Sequence, residues 1–93
     1  MTIRIYKQPL NNLSKVEFQI RGLIDILSIK KQNEQAVIYY SIDSESTAWT
    51  GVRITGQVTG MPFNPGKGFY QETLMFNDDS FVVHFYVEIL QSL

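Results

Sequence analysis

The residues best placed to do chemistry lie between Gly51 and Gly68, in the stretch GVRITGQVTGMPFNPGKG. It carries five of the six glycines, two of the three prolines and two isolated cations, Arg53 and Lys67. Backbone rich in glycine leaves N–H groups free, and Gly66-Lys67-Gly68 sets an ammonium among them, an arrangement that can hold an anion. Arg53 on the preceding strand, Gly60 in the loop and Tyr70 beyond it complete an expected ligand-binding set with Lys67. Tyr39, Tyr40 and Trp49 offer further surfaces on which a base could stack. The eight-residue phosphate-loop spacing and its following helix are both missing. The bland alternative is a wide connecting loop that its prolines keep from disorder.

His84 is the lone histidine. Nucleophilic catalysis needs a hydroxyl or thiol beside it and an acid to orient it. Serines and threonines are plentiful, but no G-x-S-x-G elbow occurs. A single histidine on the mixed face of a strand reads as a hydrogen-bonded packing residue. Asp78 and Asp79 fit a turn and lack the spacing of a calcium loop. Glu72 and Glu88 are possible cross-strand neighbours, but outward polar positions explain them more simply than a glycosidase pair does. No catalytic residue, metal or cofactor is expected.

The elements that must position these residues follow a period of two. Val16, Phe18 and Ile20 alternate with Lys15, Glu17, Gln19 and Arg21, which is the pattern of a half-buried strand. Leu23 to Ile29 is denser in apolar residues, and its isoleucines favour a strand over a helical turn. Lys30 to Glu34 is a polar turn, so 24–31 and 35–43 form a hairpin. Val52, Ile54, Gly56 and Val58 share one strand face, and Gly56 there signals a bulge or a close approach by other chain. Residues 69–76 and 81–90 make a second hairpin over Asn77-Asp78-Asp79-Ser80. Its last strand carries Phe81, Val83, Phe85, Val87 and Ile89 on one face, which predicts a central position. Residues 10–14 are too short for an independent helix. The expected fold is all-β: about seven antiparallel strands in a small sandwich or partly open barrel, as a single domain over residues 1–93.

Composition narrows the function classes. The chain has 44% hydrophobic and 18% charged residues, as a folded protein does. The net charge of −1 argues against a general nucleic-acid partner, although Arg4, Tyr6 and Lys7 interleave cations with an aromatic ring as single-strand-binding sheets do. Residues 1–31 hold six of the eight cations, so the first strands could form a cationic side that steers a charged partner. Lysines and arginines that merely guard strand edges would give the same count. There is no cysteine, hence no disulfide or thiol chemistry, and a reducing cytoplasm is compatible. MTIRIYKQPL has no long apolar core of a secretory signal, and no apolar run approaches the roughly 20 residues that span a bilayer.

Four pieces in order, IYKQPL at 5–10, ILSIKKQNEQAVIYYSID at 26–43, RITGQVTGMP at 53–62 and HFYVE at 84–88, carry a likeness to known sequences. Taken together, the chain resembles a small uncharacterised domain family often met in bacteriophage genomes. The resemblance implies a phage protein acting in the cytoplasm of the bacterial host, and it implies no catalytic residues. The expectation is therefore a non-enzymatic binding protein that inhibits or sequesters a host factor, plausibly in counter-defence. Its partner would be a host protein, met by Trp49 and the cationic strand bearing Arg4 and Lys7, or a small anionic signalling molecule held by Arg53, Gly60, Lys67 and Tyr70. The alternative is a structural or assembly module of the phage particle. A homo-oligomer, a dimer first, is expected because a small β-domain must hide its edges; the apolar last strand, with Leu90 and Leu93, is the expected contact.

Overall fold

A computed structural model describes residues 1–62 and 68–90. Seven strands form: β1 (Ile3–Pro9), β2 (Lys15–Arg21), β3 (Leu23–Gln32), β4 (Gln35–Asp43), β5 (Trp49–Val58), β6 (Phe69–Phe76) and β7 (Phe81–Ile89). They pair antiparallel throughout, in a three-stranded sheet of order β1-β4-β3 and a four-stranded sheet of order β2-β5-β7-β6. The sheets face one another as a sandwich and do not close into a barrel. Residues 10–14 make bends and no helix.

The core is what the alternating pattern demands. Ala36, Ile38 and Ile42 of β4 meet Val52 and Ile54 of β5 and Val83, Phe85 and Val87 of β7, all buried. Strand β7 lies between β5 and β6 and is paired on both sides. It therefore has no free backbone edge to offer a second copy, and Leu93, expected to share that contact, lies outside the described residues. The free edges belong to β1, β3, β2 and β6.

Two glycines carry the crossings. Gly22 sits between β2 and β3 at φ +72°, donates its N–H to Ala48 and accepts from Asp43 N–H, so the chain passes from one sheet to the other through it. Gly56 shows the close approach its position in a strand suggested: a Cβ there would run into the Leu13 carbonyl oxygen, while its N–H donates to Ser14 O at 3.0 Å.

β3 departs from simple alternation. Its ladder with β4 shifts between Leu23 and Asp25 and again between Ile26 and Ser28. Each shift adds a residue, so the inward positions fall three apart, at Leu23, Ile26 and Ile29. Ile24 and Leu27 are left exposed. The apolar density of this segment therefore reflects bulges as well as burial.

The long edges of the sandwich differ. Between β3 and β6, Lys30 pairs with Glu72 at 3.2 Å, and Lys31 donates to Met75 O at 2.7 Å. Nearby, the Asn77 N–H donates to the Glu34 carboxylate at 3.0 Å and, as the largest cause, holds that carboxyl below its ordinary value. Between β1 and β2, no hydrogen bond or ion pair joins the strands among the described residues.

Candidate binding surfaces

The outer face of the four-stranded sheet collects most of the polar candidates. Glu17, Arg53 and Glu88 lie directly opposite one another on β2, β5 and β7. The Arg53 guanidinium donates from Nε to Glu17 at 2.6 Å and from an η nitrogen to Glu88 at 3.1 Å. The hydrogen bond and charge of Arg53 hold the Glu17 carboxyl below its ordinary value of 4.5, and Glu17 in turn raises Arg53. An anion seeking Arg53 would have to displace two carboxylates. Tyr70 shares this face, one strand away across β7, where its ring meets Tyr86 edge-on at 5.8 Å.

The ion triad sets an expectation for acid stability. A carboxyl whose folded value is depressed contributes stability above its unfolded value, and that contribution disappears as pH falls through the folded value. The window here lies below 4.5. The melting-temperature difference between wild type and Glu17→Gln should therefore be constant above about pH 5.5 and shrink as pH falls below 4.5. An equal difference across the whole range would show that the charge does not act this way. The effect is small because the pair is exposed.

His84 lies in the next rows of the same face. Its Nε2 is 2.7 Å from the Thr59 hydroxyl and its Nδ1 is 3.0 Å from the Thr73 hydroxyl, which also meets Tyr70 OH at 2.7 Å. Hydroxyls occupy both ring nitrogens, and no carboxylate orients the ring. Glu72 and Glu88 are not cross-strand neighbours: a register shift after Tyr70 sets Glu72 opposite Phe85, and the two acids bind Lys30 and Arg53 respectively. Among the described residues, no group of three or more potential metal ligands occurs. Among the same residues, no helix is long and apolar enough to cross a membrane.

Of the expected anion set, Arg53 and Tyr70 share the outer face of this sheet. Lys67 lies outside the described residues. Gly60 follows β5 at φ +89° with nothing near the position of a Cβ, in a turn closed by Met61 N–H to Val58 O. It serves the turn and stands seven residues along from Arg53. The expected partner set is dispersed. Arg4 faces the inner side of β1 opposite Ile42, Lys7 faces the outer side and reaches Gln32 at 3.3 Å, and Trp49 stands on the other sheet opposite Arg21. Tyr6 and Tyr40 meet edge-on at 6.5 Å in a shallow cleft of about 200 Å3 shared with Gln19, Ile20, Arg21 and Ile42. Burial pushes the Tyr40 hydroxyl up, with a smaller contribution from Tyr6.

Sequence reasoning missed a second concavity, rimmed by large apolar side chains. A cleft of about 270 Å3 opens where β3 and β6 begin and β7 ends, lined by Leu23, Ile24, Asp25, Ile26, Thr50, Phe69 and Ile89. Phe69 and Ile89 lie on the inner face of their sheet, opposite or in line with buried Val87 and Val52. Phe69 is nevertheless 51% exposed, and Ile24 and Ile89 are similarly open. Core-type side chains are left in solvent here. The available signal was the apolar density of Leu23–Ile29, which exceeds what one strand face can bury.

The model of a family described as a domain of unknown function, DUF7352, matches residues 1–92. Neither the curated proteins nor the solved structures include a match to the chain.

Proposed function

The chain belongs to the DUF7352 family, and we propose that it is a non-enzymatic binding protein whose partner is another protein. The observation that carries this reading is the cleft bordered by Ile24, Phe69 and Ile89, three large apolar side chains left half-exposed around a concavity. Exposed apolar patches with a polar rim mark docking sites, and a few buried apolar anchors dominate the energy of such contacts. Sequestration of a small anion is the weaker version, because Arg53 already spends its donors on Glu17 and Glu88. The resemblance to domains met in bacteriophage genomes supports a setting in the bacterial cytoplasm, with a host factor as the protein inhibited.

The test is capture from infected host cells with tagged protein, analysing proteins and heat-released small molecules together. Wild type and Arg53→Ala should retain one protein in stoichiometric amount, and it should bind again when purified. Ile24→Lys and Phe69→Ala should lose it. A small anion released in stoichiometric amount and lost in Arg53→Ala would overturn the reading in favour of sequestration. Recovery of the chain in purified particles would instead make it an assembly module.

A further inference from the structure

We propose that the free edge of β1 is a self-complementary docking strand, on which a second copy of this chain pairs antiparallel with Ile5 opposite Ile5 and Ile3 opposite Lys7. The contact is separate from the apolar cleft and does not depend on the function proposed above.

Of the four free edges, three carry features that discourage pairing. β3 is interrupted twice and ends in Lys30 and Lys31; β6 is interrupted after Tyr70 and strapped to β3 through Glu72. β2 alternates Lys15, Glu17 and Arg21 on its outer face. β1 alone combines an unbroken register, from Ile3–Asp43 to Pro9–Val37, with exposed apolar side chains. Ile3 is 58% and Ile5 64% exposed.

The ladder also decides which backbone groups are free. Ser44 N–H donates to Thr2 O at 2.8 Å, and Leu10 N–H donates to Ala36 O at 2.9 Å. An antiparallel ladder alternates, so the even residues Arg4, Tyr6 and Gln8 direct their backbone groups to β4. Ile3, Ile5 and Lys7 therefore turn their N–H and C=O outward.

Three registers keep most of such a pairing, and the side chains choose among them. Centring on Arg4 sets Arg4 against its own copy in a closely spaced pair, like charge on like charge. Centring on Tyr6 sets Ile3 opposite Pro9, which has no N–H to give. Centring on Ile5 forms about six N–H to O=C bonds through Ile3, Ile5 and Lys7. It also sets each Arg4 across from Tyr6 of the other copy, a cation facing an aromatic ring. Ile5 meets Ile5, and the Lys7 stem covers Ile3. No like charges stand directly opposite. Arg4 and Lys7 of both copies still share one seam, so the dimer should tighten as salt rises.

The chain has no cysteine, so single-cysteine variants report cleanly. Under mild oxidation Ile5→Cys should form a disulfide-linked dimer. Ile3→Cys should not, because the two copies of that position lie about 13 Å apart along the strand, well beyond disulfide reach. Sedimentation equilibrium should show a monomer–dimer equilibrium in wild type that Ile5→Pro weakens at least about tenfold. Circular dichroism should be unchanged in that variant, since the N–H removed bonds to nothing in β4. Ile3→Cys cross-linking as readily as Ile5→Cys, or wild type sedimenting as a 10.7 kDa monomer at about 1 mM, would overturn the proposal.

Discussion

Gly56→Ala should destabilise the protein by about 3 kcal/mol or more, a loss of roughly 12–24 °C in melting temperature. The added Cβ would overlap the Leu13 carbonyl oxygen and sit 2.9 Å from Val83 Cγ1. Neither neighbour can yield easily. Val83 is fully buried on the central strand, and Leu13 enters β2 one residue before Ser14, whose carbonyl accepts the Gly56 N–H. Relieving the overlap therefore means pulling the start of β2 away from β5. Gly60→Ala is the control: open space surrounds its Cβ, so only the left-handed φ of +89° is penalised, at about 1–2 kcal/mol. Urea denaturation of both variants measures the difference. Equal losses, or an undisturbed Gly56→Ala, would mean that the β2–β5 seam is looser than the packing indicates.

Gly56 was readable because a glycine amid Val52, Ile54 and Val58 interrupts an apolar strand face. The same alternation made β2, β4, β5 and β7 legible, since each buries one face against a single opposing sheet. The central place of β7 followed from its unbroken apolar face of Phe81, Val83, Phe85, Val87 and Ile89. Legibility stopped where the period changes. In β3, two extra residues move the inward positions to Leu23, Ile26 and Ile29, and nothing local marks where a ladder will slip. The same kind of slip in β6 separated Glu72 from Glu88.

The candidate site was less legible than the fold, for a related reason. Arg53 was identified as a free cation, but its electrostatic state depends on which residues stand opposite. Cross-strand registration places Glu17 on one side and Glu88 on the other. By charge and ring alone, Arg4, Lys7 and Trp49 look like one patch. Facing is decided by strand parity and by sheet, and these three fall on three different surfaces. The apolar cleft is assembled from strand ends of both sheets. No segment of sequence contains that information; only the surplus of apolar residues after Gly22 hints at it.

Two phenylalanines separate the folding role from the binding role. Phe85 is 0% exposed, stands opposite Gly56 and fills the centre of the core. Phe85→Ala should cost about 3–5 kcal/mol, the usual range for emptying a buried ring site. A domain of this size has about 5–10 kcal/mol in total, so most of its stability goes and partner binding falls with it, through loss of folded protein. Phe69 is the same residue type two positions beyond the row of Glu72, at the mouth of the cleft and half in solvent. Phe69→Ala should cost about 1 kcal/mol, because about half of the ring's surface stays in water on folding. It should still abolish partner capture at temperatures where the protein is folded. Thermal melts and capture on the same preparations give both readouts. A Phe69→Ala variant that melts as early as Phe85→Ala would make the ring a core member after all, and the cleft would then have no claim as a docking surface.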